Sequence, residues 1–430
     1  MISRSKKNLT AFIGLLSVVF FTWFISFPLQ AQTFRAGAAI RVITPDPLLP
    51  VSGGVGIPNK TTVKNGDLFA RAMVLEKDGV RTAIVGLDNL GWPSVLGDQA
   101  RALIKGIPPE NILIGATHTH SAPDAYAFPD ENGKTGADMK YLQWCIKQIA
   151  EAVNEATANL APANLKVAMG EAAKGIAYNY YAPDLYDPRC SVMQAVALDG
   201  KVIATLVNYA VHPEVIGSDQ GILSPDLCGP LYDRVEKKAG GVALFMNSAQ
   251  GGMVTADNRL NNTKEEARGW DECIRIGELL ADEALRIISD APLQKNPALS
   301  VSSTIVEFPV DSKMILYILQ KSPLGLKKGQ GNTVSTRVNL LTIGTAQALT
   351  IPGEALPNIG YYLKRNMPTS YPFLFGLTND AFGYILTKED FNSFKRYDYV
   401  SRTSLGERTA EIFINAAMQL IKDSPKPSEK

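Results

Sequence analysis

Histidine is scarce in this sequence, with 3 residues in 430. His118 and His120 follow a short apolar run, 112–116, that predicts a buried strand, and His212 follows a second apolar run, 202–211. Side chains two positions apart on a strand share a face, so the first two imidazoles are expected on the same side. Two imidazoles on one face form half of a metal site. Histidines that only cap a turn are the alternative.

Charge of one sign is also lacking, and cysteine is rare. The net charge of +1 gives no reason to expect nucleic acid as a partner. None of the four cysteines stands in a Cys-x-x-Cys pair, which excludes a zinc ribbon. One or two disulfides would be possible in an exported protein, and buried free thiols agree equally well with the sequence.

Residues 1–32 have the pattern of a secretory signal peptide. Arg4, Lys6 and Lys7 precede an uncharged apolar stretch over 9–29, and small and polar residues follow at 30–32. This predicts export to the periplasm or out of the cell. The stretch approaches the ~20 residues that cross a bilayer, so an N-terminal membrane anchor is the alternative.

Strand and helix patterns alternate over residues 33–425, with no repeat and no linker. Alternating runs at 68–76 and 81–87 flank a turn and predict a hairpin, and apolar spacing over 137–160 predicts an amphipathic helix. We therefore expect an α/β fold, with mixed β-sheets layered with helices in one large catalytic domain. The polar residues 426–430 predict a disordered tail.

Several other residues are candidates for chemistry. Glu354 follows a predicted strand and a Pro-Gly turn and is expected to open a helix, where it would either complement the helix dipole or bind a metal. Thr255 follows Gly251 and Gly252, where the backbone can approach a substrate. Tyr384 and Tyr397 lie in an aromatic segment, and packing alone would explain them.

The segment Ala116-Thr-His-Thr-His-Ser-Ala-Pro resembles the metal motif of the neutral/alkaline (non-lysosomal) ceramidase family. Further segments of that family follow in the same order across residues 34–425, at 208–213, 352–354 and 384–391. The resemblance implies one Zn²⁺ ion with His120 beside it as a catalytic residue. The implied zinc ligands are His118, His212, Glu354 and Tyr384.

The chain departs from the family pattern around its substrate loop. Thr255 stands where the family has a serine and is the implied second catalytic residue, while Met253 and Ala256 replace an aspartate and a proline. An Asn-Arg pair of the family is Asn179-Tyr180 here. By the same resemblance, Gly252 and Tyr397 are implied to bind substrate.

Together these features predict an exported, zinc-dependent amidohydrolase. The resemblance implies hydrolysis of the N-acyl amide bond of ceramide-like lipids to a fatty acid and a sphingoid base. The expected partner is a small lipid-like amide, with transient contact to a membrane surface and no nucleic acid. The altered loop leaves two alternatives: a hydrolase of another amide or ester, or a non-catalytic secreted binding protein on the same fold.

Overall fold

The computed structural model describes residues 33–260 and 265–428. The predicted signal peptide lies outside the described residues and stays a prediction. The strands are β1 (Arg35–Val42), β2 (Val51–Ser52), β3 (Val63–Lys64), β4 (Phe69–Lys77), β5 (Val80–Leu87), β6 (Ile112–Ala116), β7 (Ala122–Pro123), β8 (Ala161–Glu171), β9 (Ala177–Asn179), β10 (Arg189–Ala197), β11 (Val202–Tyr209), β12 (Ile222–Leu223), β13 (Val242–Asn247), β14 (Val254–Ala256), β15 (Leu299–Pro309), β16 (Thr333–Ile343), β17 (Ala346–Thr350), β18 (Glu354–Ala355), β19 (Tyr371–Phe375) and β20 (Tyr384–Ile385).

Helices connect and cover these strands. The α-helices are α1 (Ser94–Leu103), α2 (Met139–Ala158), α3 (Cys228–Ala239), α4 (Trp270–Ser289), α5 (Lys313–Lys321), α6 (Pro357–Asn366), α7 (Asp398–Arg402) and α8 (Thr409–Asp423). Single 3₁₀ turns occur at Pro109–Asn111, Ser218–Gln220 and Lys395–Tyr397. Among the residues that the structure describes, no helix is both long and apolar enough to cross a bilayer.

The larger sheet has the strand order β13-β11-β10-β8-β1-β4-β5-β6. Its inner neighbours are antiparallel, whereas the edge pairs β11–β13 and β5–β6 are parallel. The predicted hairpin is confirmed as β4 and β5, which turn at Asp78 and Gly79. Both turn residues have positive φ, as the tight turn that matches strand twist requires.

A second sheet, β15-β16-β17-β19, packs on the first. Their facing sides share one apolar core, to which the first sheet contributes Leu113, Leu206 and Leu244 and the second Phe373 and Phe375. Helices α1 and α2 cover one half of the first sheet's other face, and α3 and α4 cover the other half. Helices α6 and α8 pack against the second sheet. The predicted α/β class, with mixed sheets layered with helices, is confirmed.

Four details differ from the sequence-based expectations or bear on them. Glu354 does not open a helix: it lies in β18, paired with Tyr384 of β20, and α6 begins at Pro357, because proline suits the first helical turn. Helix α5 was not predicted. All four cysteines are buried free thiols. At the chain's end, the backbone N–H of Ser428 donates to the Gly344 carbonyl at 2.9 Å.

One buried amide joins the strand ends that carry the histidines. The Asn247 Nδ2 group donates to the carbonyls of Thr117 (3.0 Å) and Val211 (2.7 Å), just after β6 and β11. Its Oδ1 atom accepts from the backbone N–H groups of Val211 and Ser248. The Asn247 side chain therefore fixes the spacing between the segments that lead to His118 and His212.

We expect Asn247→Ala to destabilise the protein, because it leaves buried backbone groups without hydrogen-bond partners. Each such group lowers the free energy of unfolding by about 1–3 kcal/mol. Thermal unfolding should show a lower Tm. Asn366→Ala, in which only an exposed side-chain bond to Tyr362 is lost, is the control and should change stability by less than about 0.5 kcal/mol. Equal Tm values for the two variants would contradict the assigned role.

Candidate metal centre

The three histidines of the sequence meet at one place. The imidazole ring centroids of His118 lie 4.8 Å from those of both His120 and His212, and the latter two lie 5.7 Å apart. One ring nitrogen from each lies within 4.8 Å of the others. The loops after β6 and β11 supply them, so residues about 90 positions apart converge on one point.

The geometry at His118 differs from the expected one. Strand β6 ends at Ala116, and His118 has a φ of 74°, which is strained for a residue with a side chain. Its backbone N–H donates to the Asn89 carbonyl at 2.9 Å, and its Nδ1 donates to the Leu90 carbonyl at 2.5 Å. The imidazoles of His118 and His120 lie close together, as predicted. The left-handed backbone at His118, and not strand alternation, brings them together.

The tautomers of His118 and His212 follow from their partners. The His212 Nδ1 atom lies 2.8 Å from the Val254 carbonyl oxygen, which also accepts the His212 backbone N–H. Because a carbonyl oxygen only accepts, Nδ1 carries the proton in both rings, and each Nε2 is left with its lone pair. Both Nε2 atoms face one Glu354 oxygen, Oε2, at 3.5 Å from His118 and 3.1 Å from His212.

The charges around Glu354 favour a bound cation. Burial opposes the ionised carboxylate, but the imidazoles of His118 and His212 hold the pKa of Glu354 well below its usual range. Burial would likewise lower the pKa of His212, yet the bond to Glu354 and the charge of Glu214 raise that pKa to about 9. A positive charge between Nε2 and the carboxylate, supplied by a proton or by a metal ion, therefore stabilises this arrangement.

The donor set fits a zinc-like ion. Histidine ligands of metals commonly donate their second ring N–H to a carbonyl or carboxylate, as His118 and His212 do. Two Nε2 atoms and one carboxylate are a usual protein ligand set for catalytic zinc, with a position left for water. The structure brings together His118, His212 and Glu354, which the sequence predicts as zinc ligands.

Tyr384 lines the same cavity as His118 and Glu354. Its backbone is held beside Glu354 by the β18–β20 pairing, and its hydroxyl lies 3.4 Å from the sulfur of Met253. Burial first, and then the charge of Glu354, raise the pKa of Tyr384 well above its usual value. Its phenol is therefore neutral unless a cation binds next to it.

His120 is paired with Glu214, which was not predicted as a site residue. Its Nδ1 atom lies 3.3 Å from Oε2 of Glu214, whose carboxylate also bonds the Thr255 hydroxyl. Its Nε2 atom is buried with no hydrogen-bond partner among the described residues. Burial lowers the pKa of His120 to about 3 against the opposing charge of Glu214. In the sequence, the position of Glu214 two residues after His212 was the one indication that it lies near the site.

The other predicted site residues differ in how near they lie to the histidines. Thr255 lies in β14, next to His212 through a backbone bridge, and borders the site. Gly252 has a φ of 68° and faces Leu356, so it shapes the loop and does not line the site cavities. Tyr397 packs against Tyr181 and Phe394, away from the cavity. Tyr399, two residues later, lines it instead.

Two open cavities adjoin the histidines. The first, of about 940 Å³ including its mouth, contains His118, Glu354, Tyr384 and Tyr399, and α5 contributes apolar side chains to its lining. The second, of about 820 Å³ including its mouth, contains Thr255 and Glu214 and is mostly polar. His120 lines both cavities.

The chain is similar to known proteins in sequence and in fold. Neutral ceramidase of Pseudomonas aeruginosa is 26% identical over 281 residues, which cover 56% of this chain and 42% of the relative. The crystal structure of a neutral ceramidase from that organism superposes with a TM-score of 0.73 at 18% identity, over 93% of this chain and 76% of the other. The chain resembles neutral ceramidases in sequence and has their fold. The resemblance inferred from the motifs is thus confirmed.

A second solved structure, a ceramidase complexed with C2, gives a TM-score of 0.72 at 18% identity, with the same coverage of 93% and 76%. No protein-family model matches the chain. The chain aligns with less than half the length of the curated relative that it matches.

The donor set predicts stabilisation by ions that prefer nitrogen ligands. In a thermal shift assay of the chelator-treated protein, Zn²⁺ or Co²⁺ should raise the Tm, and Mg²⁺ or Ca²⁺ should not, because hard ions prefer oxygen ligands. At a hundredfold excess over Kd the gain is about 2.7 kcal/mol. His212→Ala should abolish the shift. An equal shift in that variant would place the metal elsewhere.

Proposed function

We propose that the chain is an exported, zinc-dependent amidohydrolase that cleaves the N-acyl amide bond of ceramide-like lipids. One observation carries the proposal: the free Nε2 atoms of His118 and His212 converge on Glu354 at the wall of an apolar cavity. The likeness to neutral ceramidases supports amide hydrolysis as the chemistry. Export rests on the sequence of residues 1–32.

His118, His212 and Glu354 would hold the zinc ion, with Tyr384 as the fourth protein ligand. When bound, zinc lowers the pKa of a water molecule from 15.7 towards ~7 and polarises a carbonyl. The surrounding backbone carbonyls of Leu90 and Val254 keep the two imidazoles in the orientation that this requires.

His120 is placed to move the proton. Glu214 accepts from Nδ1 and stabilises positive charge on the ring, which leaves the unpartnered Nε2 to take a proton from the attacking water. The same nitrogen would then protonate the leaving amine. When substrate binds, the Thr255 hydroxyl would exchange its bond to Glu214 for one to the carbonyl oxygen, and with the neighbouring backbone N–H groups it would stabilise the negative charge that develops there.

Helix α5 supports a lipid chain as part of the substrate. Met314, Ile315, Ile318 and Leu319 lie on its side towards the cavity, and the Tyr317 hydroxyl ties it to the Asp130 carbonyl at 2.7 Å. Lys313 and Lys321 lie at its two ends. Such a helix, at the mouth of an apolar cavity, is suited to transient contact with a membrane surface.

The full chain should purify with about one zinc ion per molecule, and His118→Ala should lose both the metal and amide hydrolysis. Metal content is measured by mass spectrometry of the elements, and hydrolysis on ceramide and a panel of other N-acyl amides and esters. Gln99→Ala, an exposed change on α1, is the control and should keep both. A zinc-loaded protein that cleaves nothing in the panel would instead support the binding-protein alternative.

Replacing His120 should impair proton transfer and leave the metal in place. We expect His120→Gln to lower kcat by about 10²–10⁴, the usual contribution of a general acid–base group, with zinc content unchanged. Glu214→Gln should lower kcat less. Glu389→Gln, which alters an exposed carboxylate, is the control. Full activity of His120→Gln would exclude the assigned role.

A further inference from the structure

The apolar cavity opens to water beside the most exposed large hydrophobic side chain of the described residues. Residues 53–58, called the Ile57 loop, project from a base at which Val51 and Asn59 exchange backbone hydrogen bonds of 2.9 and 2.8 Å. Val55 lines the cavity and is itself exposed, so the loop lies at the cavity's opening. Ile57, two residues further on, is 85% exposed. Single exposed aliphatic residues are common and have no function by themselves, so the neighbours of Ile57 decide its meaning.

A second loop contacts both the Ile57 loop and α5. Pro58 approaches Gly136 so closely that a Cβ atom on this glycine would lie 2.3 Å from the proline ring. In the same second loop, the carbonyl of Asp130 accepts the Tyr317 hydroxyl of α5 at 2.7 Å. Because α5 also lines the cavity, the three segments form one continuous part of its border.

The chain around α5 concentrates positive charge. Residues 312–330, called the α5 segment, contain no acidic residue and four lysines, at 313, 321, 327 and 328, although the net charge of the whole chain is only +1. All four side chains are exposed, and none pairs with a carboxylate in the part of the chain that the structure describes. Leu326 lines the cavity, so the two lysines that follow it lie near the cavity's border. These charges are available to an anionic partner.

The neighbouring loops do not cancel this charge. Asp130, Glu131 and Asp311 are negative, and Lys60 and Lys134 are positive. The Ile57 loop, the loop over 130–136 and the α5 segment, together called the rim, therefore keep a net positive charge. An aliphatic side chain and a cluster of lysines thus occur together at the opening of an apolar cavity.

We propose that the rim docks on a lipid bilayer with anionic headgroups, with Ile57 inserted below the headgroups and the lysines of the α5 segment lying among them. The two kinds of side chain match the two layers of such a surface, hydrocarbon and negative charge. An acidic protein would match the lysines but not the aliphatic residue beside an apolar cavity. The choice of a bilayer rests on the proposed function, because a lipid substrate must pass from a membrane into the cavity.

Cosedimentation with vesicles tests this surface without any need for catalysis. The full chain should bind vesicles that contain about one third phosphatidylglycerol about ten times more tightly than vesicles of phosphatidylcholine alone, and added salt should reduce the difference. Equal binding to the two kinds of vesicle would overturn the anionic partner, and binding to neither would overturn the docking surface.

Two variants test whether the rim is the contact. Ile57→Ser should lower the affinity for anionic vesicles about tenfold, because no aliphatic side chain then leaves water on binding. Lys327→Gln combined with Lys328→Gln should lower it about 25-fold, since each basic residue near anionic headgroups contributes about fivefold. Unchanged affinity in both variants would overturn the proposal.

Matched controls remove the same chemical groups elsewhere. Leu198→Ser removes a side chain that is 64% exposed between β10 and β11. Lys147→Gln combined with Lys237→Gln removes two exposed lysines from α2 and α3. Residues 1–32 are the same in every variant, so both controls should bind as the unchanged chain does. Equal losses in controls and rim variants would contradict a contact specific to the rim.

Hydrolysis separates a failure of this inference from a failure of the proposed function. On a short-chain N-acyl amide in free solution the rim variants should match the unchanged chain, whereas on ceramide in anionic vesicles they should be about tenfold slower. Equal rates on the vesicles would overturn the docking surface and leave the proposed function standing. Rim-dependent binding to anionic vesicles without hydrolysis of any amide would contradict the proposed function and support the docking surface.

Discussion

The site depends on one buried side chain that is not part of it. Asn247 bonds to backbone groups just beyond two strands that are distant in sequence, so the positions of His118 and His212 are set before any ligand binds. Asn208 continues the pattern, since its Nδ2 donates to the carbonyls of Met246, Asn247 and Leu374 and so links the two sheets. Buried amides with every group paired are rigid, and this rigidity reaches the histidines through short lengths of backbone.

Two backbone carbonyls also help to position the histidines. Leu90 and Val254 fix the ring orientation of two histidines without a charged partner at Nδ1, and Glu354 supplies the carboxylate that both Nε2 atoms face. Gly251 contributes by its lack of a side chain: a Cβ there would lie 2.2 Å from the Glu354 carbonyl oxygen. The close approach of the Gly251 loop to β18 thus holds the Glu354 carboxylate in place. A buried carboxylate held in this way favours a bound cation.

Much of the fold was predictable because period-two and helical patterns are local. The β4–β5 hairpin and α2 lie close to where the sequence puts them. Helix α5 was missed because its nine residues give fewer than three helical turns of pattern. The residues His118, His212 and Glu354 were predicted together only through the family resemblance. The sequence places them 94 and 142 positions apart.

Other parts of the site depend on geometry that no local pattern contains. The left-handed backbone at His118, and not strand alternation, brings its ring to His120. Glu354 was expected in a helix, but its short pairing with Tyr384 competes successfully with that tendency. Tyr399, two residues beyond the predicted Tyr397, faces the cavity because a helical turn at 398–402 rotates the chain by about 200° over two residues. Pairing of Glu214 with His120 needs both loops in place.

The position of His120 in the lining of two cavities has a kinetic consequence. In an enzyme with a single entrance, the second product leaves only after the first has cleared the way, and release is ordered. Here His120 lines an apolar cavity and a polar one, so the apolar and the polar product would each have a cavity of its own to enter. Neither would need to pass the other, so either product could leave first.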